Sequence, residues 1–289
     1  MSIYRKDISE MLSSITKYKI ACIGAGKMLT ALISGIINQG YDPKLITATR
    51  RDKTALQHLS DQFSIHTSVN NCHAVSQADV VILGIKPTHI AEVLPELVQL
   101  CQNKLIISVM AGVSTGNIKS QLTSVSGGAS DSLPVIRAMP NLPCQIARGI
   151  TGLFASVQVN AAQKNWVEQV FTALGKVLWL QDEEKMHPLT VISGSGPAYF
   201  FLLQEYLINF AREQGFSQQE ADMLVRQTAL GTGSMSEQSG YSVEVLRSMI
   251  TSPGGVTEKV IKTLEAEGSE QLWQKALVDG CLHSKKLLP

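Results

Sequence analysis

The residues best able to do chemistry fall in two glycine-rich runs far apart in the chain. The first is Ile23-Gly24-Ala25-Gly26-Lys27-Met28, where a short apolar run gives way to a helical pattern. A strand-to-helix turn of this kind lets main-chain N–H groups and a helix N-terminus meet a pyrophosphate. Leu29 takes the third small position of the full G-x-G-x-x-G pattern, so an ordinary βα turn with two convenient glycines stays open as an alternative. The second run is Ser252-Pro253-Gly254-Gly255-Val256-Thr257, ahead of another helical pattern. Two glycines expose N–H groups, the helix dipole favours an anion, and Ser252 and Thr257 add hydroxyl donors. That chemistry suits the carboxylate of a small substrate. It is equally the make-up of a tight helix connection punctuated by Pro and Gly.

Three further stretches bear on a dinucleotide. Where NAD-binding folds usually carry an acid for the ribose 2′-OH, this chain reads Thr49-Arg50-Arg51-Asp52. Two guanidinium groups beside a hydroxyl suit a 2′-phosphate, because Arg binds phosphate bidentately, and point to NADP. The bland alternative is a solvated surface pair. Gly84-Ile85-Lys86-Pro87 and Val109-Met110-Ala111-Gly112 end two apolar runs, where open α/β sheets bind ligands, and small residues at 111 and 112 admit a nicotinamide ring. They also read as tight strand-to-helix turns. Ser193-Gly194-Ser195-Gly196-Pro197 lacks the spacing and preceding strand of a nucleophile elbow, which sets hydrolase chemistry aside.

These residues need elements to hold them. Strands are predicted over 18–23, 45–49, 80–85, 105–109, 135–139, 150–155 and 177–180, with helices over 28–38, 53–61 and 88–100. Alternation of this sort implies βαβ units, and a run such as Val80-Val81-Ile82-Leu83 implies a sheet covered on both faces. After about Asp182 the pattern turns wholly helical, with a capping box at Ser217 and Glu220. The predicted fold is α/β, then all-α. An N-terminal extension (1–17) leads into a Rossmann-type, doubly wound parallel sheet (18–182), followed by a helical domain (183–289). The Ser/Gly-rich stretch 123–132 is read as a loop.

The bulk composition is that of a soluble globular chain: 289 residues, 44% hydrophobic, 17% charged, net charge +1. That balance favours neither nucleic acid nor another polyanion as partner. Five scattered cysteines, without a C-x-x-C pair, argue against a disulfide framework or a metal site and fit the cytoplasm. The first ten residues lack an apolar core, so they are not read as a signal peptide, and no apolar run is long enough for a membrane.

Together, Ile23–Met28, Ile85-Lys86-Pro87, Ala111-Gly112-Val113, Arg137-Ala138-Met139-Pro140-Asn141, Ser193–Tyr199, Gln227-Thr228 and Thr251–Gly255 resemble the pyrroline-5-carboxylate reductase family, in order across residues 19–289. The resemblance implies NAD(P)H-dependent reduction of L-1-pyrroline-5-carboxylate to L-proline, with NADPH preferred and NADH an alternative. Cofactor positions carried over are Ile23, Gly24, Ala25, Gly26, Lys27 and Met28; Thr49, Arg50 and Arg51; Asn71, towards the adenosine; Gly84, Ile85, Lys86 and Pro87; and Val109, Met110 and Ala111. Substrate positions are Ser252, Gly254, Gly255, Val256 and Thr257, with Thr257 expected to hydrogen-bond the ring nitrogen as the catalytic group. The helical domain is implied to build an intertwined homodimer in which each site takes its substrate loop from the partner chain, and dimers often assemble into a decamer. Four residues depart from the family pattern: Leu29, which would crowd a helix–sheet contact, Leu142, Met249 and Val256. A dehydrogenase of the β-hydroxyacid type would need a catalytic Lys, with Lys185 the nearest candidate. A non-catalytic NADP-binding relative would keep the first glycine run and lose the second.

Overall fold

Alternate residues of the central strands feed two separate cores, as a sheet buried on both faces requires. In β1 (Ile20–Ile23), Ile20 and Cys22 join one apolar cluster while Ala21 and Ile23 join another. The computed structural model describes residues 18–123 and 133–287, so the N-terminal extension and nearly all of the Ser/Gly-rich loop lie outside the described residues.

β1 leads to α1 (Lys27–Asn38), β2 (Ile46–Thr49) and α2 (Lys53–Phe63). A three-residue β3 (His66–Ser68) and a short α3 (Asn71–Ser76), neither expected from the pattern, precede β4 (Val80–Leu83). The helix expected over 88–100 is broken instead. Only α4 (Ile90–Val93) is α-helical, between 3-10 turns at Pro87–His89 and Pro95–Leu97. Pro95 has no N–H for the Ala91 carbonyl, and its ring obstructs the previous turn. The unit continues through β5 (Leu105–Ser108), α5 (Thr115–Thr123), β6 (Val135–Met139), β7 (Gly149–Ala155), α6 (Ala161–Thr172), β8 (Gly175–Trp179) and α7 (Met186–Leu189).

The eight strands lie in the order β3-β2-β1-β4-β5-β6-β7-β8. All neighbours are parallel except β6 and β7, which pair antiparallel, so the Rossmann-type sheet is extended by two strands of reversed direction. The chain reverses its direction of travel across the sheet between β1 and β4, the topological switch point at which such sheets bind ligands.

The described chain forms two units. One runs through Ser195 and regains the chain from Cys281; the other is Gly196–Gly280. The second is all-helical, with α8 (Gly196–Glu213), α9 (Gln218–Gln238), α10 (Val243–Met249), α11 (Val256–Ala266) and the start of α12 (Ser269–Lys285). The Ser217–Glu220 capping box forms as read from sequence. Among the described residues no helix is long and apolar enough to cross a membrane.

Candidate cofactor and substrate sites

The turn after β1 is shaped by its glycines. Gly24 adopts φ +80°, and a Cβ there would stand 2.6 Å from Ile85 Cγ2 and 3.0 Å from the Ile85 backbone. Glycine is therefore required twice over, by conformation and by the approach of the β4 end. Gly26 caps α1 without a side chain, so no side-chain acceptor sits on the first-turn amides of that twelve-residue helix. Such a cradle fits a pyrophosphate. Ile23 and Ala25 are fully buried and can meet a ligand only through main chain, while Lys27 is exposed and Met28 half-buried.

Thr49 and Asn71 are brought together beside this turn. The buried Thr49 Oγ1 donates to Asn71 Oδ1 at 2.7 Å, and Asn71 Nδ2 donates to Glu96 at 3.1 Å. The Thr49 carbonyl accepts from Gly24 N (3.1 Å) and Ala25 N (2.8 Å). The hydroxyl expected beside a 2′-phosphate thus gives its proton to Asn71. Arg50 is exposed. The Arg51 side chain is 78% exposed and meets Glu92 at 3.4 Å, a surface pair of little energetic consequence.

Gly84 makes room for Leu29. A Cβ on residue 84 would lie 2.4 Å from Leu29 Cγ, so the leucine expected to crowd the helix–sheet contact fills space left by the glycine. Ile85 and Pro87 are half-buried, and Lys86 is exposed. Val109 and Met110 are buried, with the Met110 side chain in the core, so this strand end presents main chain and the half-buried Ala111.

Three residues without an assigned role organise the region. Arg137, in the apolar strand β6, is buried and reaches Glu183 at 3.4 Å. Glu183 also accepts from Thr115 N (2.7 Å) and Thr115 Oγ1 (2.8 Å). Asn141 donates to the Ser193 carbonyl (3.2 Å) and accepts from Ile150 N (3.0 Å), tying the 137–141 motif to the π-helical turn Thr190–Gly194. A lone Arg among Val135, Ile136 and Ala138 was a legible sign of a paired buried charge. Its partner, 46 residues on, was not.

The second unit holds the Ser252–Thr257 loop. Gly254 has φ +72°, Gly255 caps α11 without a side chain, and Gly255 N donates to the Ser252 carbonyl at 3.0 Å. The Gly254 N–H donates to a carboxylate of the chain itself, Glu258 Oε2, at 2.8 Å. Lys262 and that N–H hold the Glu258 carboxyl below its ordinary range. The hydroxyls of exposed Ser252 and half-buried Thr257 form no hydrogen bond among the described residues. Val256 and Met249 are exposed.

Neither site contains a cysteine or a histidine. Burial pushes the Cys22 and Cys101 thiols up to about 12, and among the described residues no cluster of His, Cys, Asp and Glu could hold a metal. Glycine cradles, donors and exposed cations suit binding and positioning.

The pattern described as pyrroline-5-carboxylate reductase dimerisation matches residues 183–287, and that described as NADP oxidoreductase coenzyme F420-dependent matches 19–112. A pyrroline-5-carboxylate reductase of Pseudomonas aeruginosa is 38% identical over 90% of this chain and 93% of its own length. The chain belongs to the pyrroline-5-carboxylate reductase family. The family resemblance and fold class read from sequence are thereby borne out. A solved pyrroline-5-carboxylate reductase from Coxiella burnetii superposes with a TM-score of 0.83 at 36% identity, covering 94% of this chain and 99% of that one. A Plasmodium falciparum pyrroline carboxylate reductase with NADP bound gives 0.84 at 26% identity, covering 94% and 98%. With the dimerisation domain of this reductase family, the chain is built to work as an oligomer.

Proposed function

We propose that the chain reduces L-1-pyrroline-5-carboxylate to L-proline with NAD(P)H, NADPH being preferred, as the last step of proline biosynthesis in the cytoplasm. The observation that carries this reading is the Ser252–Thr257 loop, whose Gly254 N–H already faces a carboxylate and whose two hydroxyls form no hydrogen bond among the described residues. A non-catalytic relative would have no reason to keep it.

When bound, the dinucleotide supplies a hydride, and the chain supplies binding and orientation. The first-turn amides of α1 hold the pyrophosphate, Arg50 and Arg51 hold the 2′-phosphate, and Asn71 lies towards the adenosine. Gly84–Pro87 and the Val109–Ala111 main chain bound the nicotinamide end. Ser252, Gly254 and Gly255 hold the substrate carboxylate in place of Glu258. The Thr257 hydroxyl oxygen accepts from the protonated ring nitrogen and keeps that proton in place, so the C=N carbon stays electrophilic.

The working unit is a homodimer in which each site takes its substrate loop from the partner chain, and dimers assemble further into a decamer. The apolar surface of the second unit supports this. Phe200 is 70% exposed and Phe210 59% among the described residues, apolar surface of the kind that a partner covers.

The deciding assay follows NADPH absorbance with and without racemic pyrroline-5-carboxylate. Oxidation that depends on the pyrroline is expected, and NADPH consumption indifferent to it would overturn the reading.

A further inference from the structure

The loop between β5 and α5, residues 109–114, is held from two sides within the first unit. On one side stands Glu183. One carboxylate oxygen accepts from Thr115 N at 2.7 Å, and the other accepts from Thr115 Oγ1 at 2.8 Å. The guanidinium of Arg137 meets the same carboxylate at 3.4 Å. Thr115 and Arg137 are only 6% and 3% exposed. On the other side lies the last turn of α12 and the residues after it. Gly112 sits at φ +78°, where a Cβ would stand 2.8 Å from Leu287 Cβ and 2.9 Å from the Ser284 carbonyl oxygen. That turn is anchored in turn. Ser284 Oγ bonds His187 Nδ1 at 3.0 Å, and Lys285 Nζ donates to Glu184 at 2.9 Å. One short segment, 183–187, therefore holds Thr115 and Arg137 directly and anchors the turn that lies against Gly112.

Capping α5 does not require this arrangement. Ser114 Oγ already accepts from Asn117 N at 3.1 Å, the ordinary local cap. A second cap from 68 residues away, which orders a partly buried carboxylate beside a buried guanidinium, is a costly way to stabilise nine residues of helix. What it adds is geometry. A two-point contact fixes both the position and the tilt of Thr115, four residues from Ala111, and Leu287 limits movement of Gly112 between them. A misplacement of about 1 Å at the surface against which the ring rests can cost on the order of 100-fold in rate.

We propose that Glu183 is a positioning residue for the reaction. Together with the C-terminal turn Ser284–Leu287, it sets the position of the Val109–Ala111 main chain against the nicotinamide half of the dinucleotide. The proposal rests on assigning Val109–Ala111 to that half.

The test separates the two ends of the cofactor by titration calorimetry, comparing NADPH with 2′,5′-ADP, which has the adenosine and 2′-phosphate but no nicotinamide. Glu183→Asp keeps a charge for Arg137 but is one methylene too short to hold both Thr115 donors. A chain ending at Lys286 removes Leu287 from Gly112 and leaves Glu183 intact. For both variants, 2′,5′-ADP should bind within about twofold of wild type, while the advantage of NADPH over it shrinks roughly tenfold. The kcat should fall roughly 10- to 100-fold with little change in KM for the pyrroline. An unchanged NADPH advantage, or equal losses for both ligands together with a lowered Tm, would show Glu183 to be fold support alone. A wild-type protein that binds both ligands yet ignores the pyrroline would overturn the substrate reading, and the binding ratio would still decide the role of Glu183.

Discussion

Leu29 on α1 packs directly on Gly84 at the end of β4, at a separation that a single methyl group on residue 84 would close to 2.4 Å. The pair joins the two structural demands of the turn. The helix must lie close to the sheet for its N-terminus to face a pyrophosphate, and Gly84 provides that closeness where Leu29 does not. Gly84→Ala should destabilise the fold by roughly 1–3 kcal/mol through overpacking, and should raise KM for the dinucleotide by tilting the start of α1. Adding Leu29→Ala to Gly84→Ala should return part of that loss, so that the double variant is more stable than the two single losses predict. Urea titrations of the four proteins measure this coupling, and strict additivity would contradict the packing argument.

The two arginines after β2 should select the cofactor. Each charge-assisted bond to a phosphate contributes about 1.5–3 kcal/mol, so Arg50→Ala or Arg51→Ala should raise KM for NADPH roughly 10- to 100-fold. KM for NADH should stay within about threefold, since NADH offers no 2′-phosphate. Steady-state kinetics with both cofactors provides the check, and equal losses for the two would remove the arginines from the phosphate site.

Thr257 should matter through its hydroxyl alone. It occupies the first turn of α11, where alanine is a comfortable helix former, so Thr257→Ala should fold normally. Loss of a group that holds the proton on the reacting nitrogen should lower kcat/KM roughly 100-fold or more, and Thr257→Ser should restore most of it. An alanine variant with unaltered kcat/KM would exclude the role.

His187 should make stability depend on pH. Burial first, and then the charge of Arg137, lower its pKa below the ordinary value. Lys285 acts in the same sense, while Glu184 and Glu183 oppose it. The unfolded chain therefore binds this proton more readily than the folded one. The stabilising contribution is complete above about pH 6.5 and is lost as the pH falls below that value towards the depressed folded pKa. Wild type should lose more stability between pH 7.5 and pH 5.5 than His187→Gln, which stays neutral throughout. Denaturation curves at the two values test this, and parallel losses would show that His187 titrates normally.

How far the site could be read in advance depended on how local its interactions are. The Gly24–Met28 turn, the Ser217–Glu220 capping box and the Pro253-Gly254-Gly255 loop are each specified within a few residues, and each appears where the pattern puts it. The break of the helix over 88–100 was also locally encoded, in Pro95, but the apolar periodicity around it concealed the signal. β3, at three residues, is too short for any periodicity to register, and only its pairing with β2 makes it a strand.

By itself, the sequence determined the seven longer strands, the change to an all-helical second half, the two glycine cradles and the hydroxyls and arginines beside them, because turn geometry and amphipathic period act over short separations. Tertiary structure alone decided that Thr49 gives its hydroxyl to Asn71, that Leu29 finds its space at Gly84, and that Glu183 holds Thr115 from 68 residues away. Those contacts pair groups whose residue types are common and whose separations follow no period. Only the packing of distant strands, turns and helices around one sheet brings them within contact distance.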